Sequence, residues 1–207
     1  FRPTMSILEL NPDSYDKLVT HLRDSGLTDT TINIRLRSIK VFFNWCIKRR
    51  IIDVMPFHIQ LLKIGHRSPK LMDQSELDAI LNNIDDIPSK QAINVYLHTG
   101  LRKSELSPKN HVLEGNGKYL KVIGKGNKER IVPMPENVLK DYLSFIESGR
   151  DVNKVSRLFS KAREKAGIKD PQKTLHALRH TFAFRKLYET KMDIIQVRDI
   201  MGHTSVK

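Results

Sequence analysis

Five cationic or imidazole side chains stand in short, distinctive sequence boxes in the second half of the chain. They are Arg102, Lys125, His176, Arg179 and His203. Arginine offers a planar pair of N–H donors that matches the geometry of a phosphate, whereas lysine and histidine can also transfer a proton. Two arginines, a lysine and two histidines are the donors needed to stabilise a phosphoryl-transfer transition state without a metal ion.

Each box is ambiguous when it is taken alone. Arg102 and Glu105, three residues apart, more often form a simple helix salt bridge. A lysine between two glycines, as in 124–126, is usually a basic turn with no special task. His176 and Arg179 lie one turn apart in a predicted helix, and this pair suits an oxyanion because guanidinium is not a metal ligand. The order and chemistry of the boxes together favour phosphoryl transfer.

The sequence also indicates which kinds of chemistry are absent. We find no convincing cluster of carboxylates, which a two-metal nuclease would need. The single cysteine, Cys46, excludes a disulfide scaffold and a cysteine-rich metal site. We therefore expect no metal ion and no cofactor.

The charge of the chain predicts a polyanionic partner. Lys and Arg total 36 against 23 Asp and Glu, a formal net charge of +13. Such a surplus is typical of proteins that bind nucleic acid. An anionic membrane is the alternative, but no apolar run of about 18 residues exists and no amphipathic basic terminus stands out. We expect double-stranded DNA as the partner and no membrane association.

The elements that must position these residues are mostly helical. Apolar spacings of three and four residues and capping signals predict helices at 12–22, 31–49, 75–81, 91–99, 136–147, 153–166, 175–189 and 193–201. Two strands, 119–123 and 130–132, form a hairpin around the turn that contains Lys125. The fold class is therefore mainly α with a small antiparallel β-sheet.

The second predicted helix carries a polar row between two apolar faces. The row consists of Asn33, Arg37, Lys40 and Asn44. One interpretation is a solvated edge of the helix. The other is a surface that contacts DNA, with amide and guanidinium groups reaching base edges or phosphates. The net charge of the chain supports the second interpretation, so we list the four residues as candidate DNA contacts.

Four motifs together resemble the catalytic boxes of the tyrosine recombinases, the phage-integrase family. They are Thr-Gly-Leu-Arg-x-Ser-Glu-Leu at 99–106, Gly-Lys-Gly-x-Lys-x-Arg at 124–130, His-x-Leu-Arg-His-Thr-Phe-Ala at 176–183 and Met-Gly-His at 201–203. They occur in that family's order. The segment 30–50 also resembles the end of the family's core-type DNA-binding domain.

The resemblance implies a two-domain clamp around duplex DNA. We expect a helical core-type DNA-binding domain at 1–58, incomplete at its N-terminus, and a linker at 59–70. The catalytic domain would follow at 71–207, incomplete at its C-terminus. Lys128 and Arg130, in the second box, are added as candidate DNA contacts.

The resemblance also implies a role for each residue of the boxes. Arg102 and Arg179 would clamp the non-bridging oxygens of the scissile phosphate. Lys125 would protonate the leaving 5′-oxygen as a general acid. His176 would position the attacking hydroxyl or accept its proton, and His203 would donate a hydrogen bond to the phosphate.

Two further expectations concern the neighbours of these groups. Glu105 would support the cluster by orienting it rather than by reacting. The family's nucleophile is a tyrosine that follows the Gly-His box, whereas this sequence ends four residues after His203 and all five of its tyrosines precede that residue. We therefore assign no nucleophile in this chain and expect the fragment to be inactive without it.

These observations predict a site-specific DNA recombinase or integrase, that is, a tyrosine-type DNA strand transferase. It would cut and rejoin strands through a 3′-phosphotyrosyl intermediate without metal or ATP. A type IB topoisomerase-like enzyme and a non-catalytic DNA-binding protein are the alternatives. We expect a tetramer on paired sites, or a monomer for a fragment off DNA. The expected setting is the cytoplasm, on DNA, in a prokaryotic, phage or mobile-element context.

Overall fold

The computed structural model describes residues 7–65, 68–124, 128–189 and 191–202, with the backbone alone at Leu8 and Glu189. The chain forms two compact units, Phe1–Arg67 and Ser68–Lys207. Both are mainly helical, and one small antiparallel sheet lies in the second unit. The predicted fold class is confirmed. Among the described residues, none of the helices combines the length and apolar composition that a membrane crossing requires.

The first unit contains helices α1 (Pro12–Asp24) and α2 (Asp29–Lys48) after a short 3₁₀ turn at Ile7–Glu9. Helix α1 begins at its predicted residue, and α2 begins two residues before the predicted start at 31. Asn11 precedes the first-turn proline of α1, and the Thr28 hydroxyl accepts a hydrogen bond from the N–H of Thr31. Local capping therefore determines where these helices start.

The core of the first unit is built on one apolar face of α2. Its buried side chains pack against α1 and against the segment that follows α2, and the cluster comprises Leu18, Val19, Leu22, Ile32, Leu36, Phe43, Phe57 and Ile59. The second apolar face predicted for α2 is largely exposed in the described residues. Ile34, Val41 and Trp45 are exposed there, with the Trp45 side chain 48% accessible.

The second unit is organised around a central helix. Its helices are α3 (Gln74–Asn82), α4 (Ile87–Thr99), α5 (Glu136–Glu147), α6 (Val152–Lys165), α7 (Leu175–Phe184) and α8 (Ile194–Met201). Helix α4 contacts α5, α6 and α7, and its apolar residues are buried on several sides, among them Ile93, Val95 and Tyr96. A helix that is apolar all round belongs at the centre of a fold.

The sheet has three antiparallel strands in the order β1 (His111–Glu114), β2 (Tyr119–Ile123) and β3 (Glu129–Pro133). Strands β2 and β3 confirm the predicted hairpin, with Val122 opposite Arg130. Strand β1 was not predicted, because four residues are too few to show an alternation.

The segment after Gly100 and the end of α7 are not regular α-helix. After Gly100 the chain forms only two 3₁₀ turns, Lys103–Leu106 and Pro108–Asn110, because Pro108 lacks the N–H that a continuing helix would need. The helix predicted for 175–189 is regular only to Phe184 and continues as a π-helical turn, Arg185–Glu189.

Candidate active site

Gly100 brings the first predicted residue, Arg102, to the site. It ends α4 in the left-handed conformation, with φ +60°, and its N–H donates to the carbonyl of Tyr96 at 3.1 Å. A β-carbon at this position would lie 2.3 Å from the ring of Phe182, on α7. Only glycine can satisfy both the conformation and this close approach. The end of α4 is therefore packed directly on α7.

Glu105 is the centre of the site. Its carboxylate is buried and accepts hydrogen bonds from the backbone N–H of Arg102 at 2.6 Å and from the Arg102 guanidinium at 2.8 Å. Arg130 donates to both carboxylate oxygens, at 2.8 and 2.6 Å. The paired donors of Arg130 match the two oxygens in the bidentate geometry that arginine favours.

The surroundings of Glu105 keep it ionised. Burial alone would raise the pKa of its carboxyl, but the hydrogen bonds from Arg130 and from Arg102 outweigh burial and lower the pKa to about 2. Glu105 is thus a fixed negative charge at neutral pH. The predicted orienting role is consistent with this position.

Glu105→Gln should change the acid stability of the fold. The ordinary pKa of 4.5 lies above the folded value, so the carboxylate stabilises the native state above pH 4.5, and this contribution disappears as the pH falls towards 2. We expect the variant to be less stable at neutral pH by about 3 kcal/mol and to lose less stability between pH 5 and 2. Urea unfolding across this range measures the difference.

The control for this experiment is Glu164→Gln, which removes an exposed carboxylate on α6. Its stability should follow the pH dependence of the unchanged protein. If Glu105→Gln and Glu164→Gln both lost as much stability between pH 5 and 2 as the unchanged protein, Glu105 would not be held ionised by its arginine partners.

Arg179 is buried in α7, with 2% of its surface accessible. Its guanidinium donates to the carbonyl of Gly100, at the end of α4, and to the carbonyl of Met201, at the end of α8. The guanidinium also lies 4.0 Å from Glu105. Burial, followed by the charge of Arg102, lowers the pKa of Arg179 to about 10, so this residue is still a cation at neutral pH.

The two predicted arginines therefore meet at one place. Arg102 donates to Glu105 and, at 2.8 Å, to the carbonyl of Gly202, the residue that ends α8. Arg179 contacts the adjacent carbonyl of Met201. Three guanidinium groups, including Arg130, surround one carboxylate, which leaves a positive excess in a partly buried site. An oxyanion is the ligand that such an excess favours.

Arg130 does not lie where the sequence interpretation placed it. We predicted a DNA contact, but its side chain is only 9% accessible and both of its terminal nitrogens are bonded to Glu105. Its Nε donates to the carbonyl of Ile200 at 2.8 Å. The prediction was wrong because a partner 25 residues away in sequence withdraws this arginine from the surface. Lys128, from the same box, is exposed.

The imidazole predictions have different outcomes. His176 is exposed on α7, one turn before Arg179, and its ring is 4.9 Å from the ring of His180 in an edge-to-face arrangement. Burial, with the charge of Arg179, lowers the pKa of His180. His203 lies outside the described residues, as does Lys125. Their neighbours Gly202 and Gly124 both lie close to Arg130.

The polar row on α2 is only partly exposed. Arg37, Lys40 and Asn44 are exposed, whereas Asn33 is buried. The Asn33 side chain donates to the carbonyl of Leu62 at 2.9 Å and accepts from its N–H at 2.8 Å. The prediction that Asn33 contacts DNA is therefore wrong, because its amide already satisfies a buried backbone.

Sequence reasoning missed a buried pair of polar side chains beside the site, His111 and Tyr142. His111, the first residue of β1, bonds through Nδ1 to the carbonyl of Glu105 at 2.8 Å and through Nε2 to the Tyr142 hydroxyl at 2.9 Å. Burial lowers the pKa of His111. No sequence box marks this pair.

As for metal binding, the described ranges contain no group of three or more His, Cys, Asp or Glu residues placed to hold an ion.

Comparisons with known proteins identify the class to which this fold and site belong. The family model described as the phage integrase family matches residues 70–207. The chain is 30% identical to the tyrosine recombinase XerD of Oceanobacillus iheyensis, over 89% of this chain and 71% of that protein. It is 27% identical to the tyrosine recombinase XerC of Actinobacillus succinogenes, over 96% and 75%.

Solved structures share the fold. A lambda integrase dimer bound to a COC′ core site matches with a TM-score of 0.77 at 18% identity, covering 98% of this chain and 79% of that chain. The Tn1549 transposon integrase in complex with circular intermediate DNA matches with a TM-score of 0.70 at 23% identity, covering 95% and 78%. The chain therefore belongs to the phage integrase family, and the resemblance stated from its motifs is confirmed.

Proposed function

We propose that this protein is a site-specific DNA recombinase that cuts and rejoins strands through a covalent protein–DNA intermediate. One observation carries the proposal, namely the convergence of Arg102 and Arg179 around Glu105 with an excess of positive charge. The family membership and the DNA complexes of the structural neighbours support it. The partner is double-stranded DNA, and the protein would bind it as a tetramer on paired sites.

The chemistry would use the predicted residues as follows. Arg102 and Arg179 bind the non-bridging oxygens of the scissile phosphate and stabilise the charge that develops in the transition state. A tyrosine hydroxyl, assigned to no residue of this chain, attacks the phosphorus and forms a 3′-phosphotyrosyl bond. His176 receives or directs the hydroxyl proton, Lys125 protonates the departing 5′-oxygen, and His203 donates to the phosphate. The phosphotyrosyl bond conserves the energy of the cleaved phosphodiester, so rejoining needs no ATP.

The first unit would act as the core-type DNA-binding domain. Its exposed row of Arg37, Lys40 and Asn44 supplies two cations and an amide along one edge of α2. Cations that neutralise phosphates release counterions from DNA, so affinity falls as salt rises. This proposal places the row against the DNA backbone.

Arg37→Ala and Lys40→Ala should each weaken DNA binding and lower its salt dependence. Loss of one phosphate contact reduces the slope of log K against log salt by about one. The matched control is Arg35→Ala, an exposed arginine on another face of the same helix. Fluorescence anisotropy between low and moderate salt measures the slopes. Unaltered slopes in both variants would indicate that the row is a solvated edge of α2 that does not contact DNA.

The decisive experiment uses the product of the complete coding sequence with two duplexes that carry its site, in EDTA and without nucleotide. A recombinase joins the two duplexes and forms a covalent adduct with the 3′ end. Relaxation of supercoils without joining would indicate the topoisomerase-like alternative. Tight binding without any adduct would indicate a non-catalytic DNA-binding protein.

A further inference from the structure

Arg130 connects three parts of the second unit that are distant in sequence. It lies on β3, bonds to Glu105 in the first 3₁₀ turn, and donates to the carbonyl of Ile200 in the last turn of α8. The Arg130 side chain thus ties the loop that carries Arg102 to the end of the helix that precedes His203.

Two glycines pack closely against the Arg130 side chain. A β-carbon on Gly202 would lie 3.0 Å from Cδ of Arg130 and 3.2 Å from its Nε. A β-carbon on Gly124 would lie 3.5 Å from the guanidinium of Arg130. In the described part of the chain, the Arg130 side chain is thus bonded to Glu105 and packed on two glycines, so we expect it to act on the reaction through these neighbours.

Charge explains why an enclosed arginine matters here. Glu105 is a nearly buried anion, and the Arg130 guanidinium donates to both of its oxygens, whereas the Arg102 guanidinium donates to one. Among the residues that the structure describes, the cations that remain beside the carboxylate without Arg130 are Arg102, at 2.8 Å, and Arg179, at 4.0 Å. A buried carboxylate that loses its partner attracts the remaining cations strongly. Those cations are the two that must bind the phosphate.

We propose that Arg130 is a positioning residue of the active site: it saturates Glu105, so that Arg102 and Arg179 keep their charge for the scissile phosphate, and it fixes the last turn of α8. This inference rests on the proposed function, because the phosphate is its ligand. It extends the site beyond the residues that the motifs predict and assigns Arg130 a task other than binding DNA.

The first test measures anion binding by the present chain and needs no nucleophile. Inorganic phosphate is titrated against the protein, and the side-chain Nε–H signals of Arg102 and Arg179 are followed by NMR. Arg130→Gln should weaken phosphate binding about tenfold, because Glu105 would then draw Arg102 and Arg179 away from the phosphate. Adding Glu105→Gln should restore most of the affinity, because the carboxylate that competes with phosphate is gone.

The matched control is Arg163→Gln. The Arg163 side chain is also 9% accessible, but it lies on α6 and contacts Glu164 and the carbonyl of Asp170. The Arg163→Gln substitution removes an arginine that is as buried as Arg130 but lies outside the site. The phosphate affinity of this variant should therefore equal that of the unchanged protein. Thermal unfolding of each variant shows that the titrations are made on folded protein.

The second test measures DNA cleavage by the product of the complete coding sequence. Arg130→Gln should bind site DNA within about threefold of the unchanged protein and cleave it about 100-fold more slowly when saturated. The added Glu105→Gln substitution should recover about tenfold of that rate. A simple structural role would not separate rate from affinity in this way.

The possible results distinguish the two proposals. Unchanged phosphate affinity in folded Arg130→Gln, or a double variant as weak as the single one, would overturn the positioning role. A loss of DNA affinity as large as the loss of cleavage rate would indicate that Arg130 contacts DNA directly. Phosphate binding that depends on Arg130, together with no cleavage by the unchanged protein, would support the positioning role and reject the proposed recombinase.

Discussion

Arg179→Lys should leave DNA affinity within about threefold of the unchanged protein and lower the cleavage rate by about 10²–10³-fold. The substitution keeps the positive charge, so the electrostatic attraction for DNA persists. It removes the planar fork through which Arg179 donates to the carbonyls of Gly100 and Met201 at the same time. An ammonium group on a flexible stem cannot bridge two helix ends and still present donors to a phosphate.

The measurement is single-turnover cleavage of a nicked site by a saturating amount of the product of the complete coding sequence, with affinity determined on the same DNA. Arg163→Lys is the control, since it makes the same exchange at a buried arginine on α6. Cleavage at the normal rate by folded Arg179→Lys would remove Arg179 from the catalytic residues.

Gly100→Ala should destabilise the second unit by about 2–4 kcal/mol. This sum combines about 1 kcal/mol for a left-handed alanine with about 1–3 kcal/mol for forcing the Phe182 ring away from a new methyl group. The methyl carbon would lie 2.3 Å from that ring. The carbonyl that receives the Arg179 hydrogen bond belongs to the same residue, so cleavage should decrease as well.

Gly149→Ala separates the two costs. Gly149 has the same φ of +60°, but a β-carbon there meets nothing within 4 Å. We expect a loss of only about 1 kcal/mol at this position. Urea unfolding with a constant m-value compares the two variants. Equal losses would mean that the contact with Phe182 contributes nothing.

Local signals were sufficient to predict most elements of the fold. Asn11 and Thr28 mark helix starts that the structure confirms, and Gly100 and Gly202 mark helix ends. These signals work because capping is satisfied by residues within one turn of the helix terminus. The buried stripe of α2 was predicted for a similar reason, since its spacing depends only on helix geometry.

The errors concern residues whose partners are far away in sequence. Asn33 has the spacing of an exposed row, but its amide bonds to Leu62, which is 29 residues later. Arg130 belongs to a basic box, yet its partners are Glu105, 25 residues earlier, and Ile200, 70 residues later. Periodicity and composition describe a residue's own neighbourhood, and neither identifies a tertiary partner. Motif order was informative for the site because it combined several distant segments.

The arginines of the site are anchored on the carbonyls that end two helices. Gly100 closes α4, and Ile200, Met201 and Gly202 form the last turn of α8 and its cap. Carbonyls in the last turn of a helix have no partner further along it, and in the described residues three guanidinium groups donate to the carbonyls at these two helix ends. Fraying of that single α8 turn would remove one hydrogen bond from each of Arg102, Arg130 and Arg179 at the same time. The rate at which its amides exchange with solvent therefore sets an upper limit on how long the assembled site persists between openings.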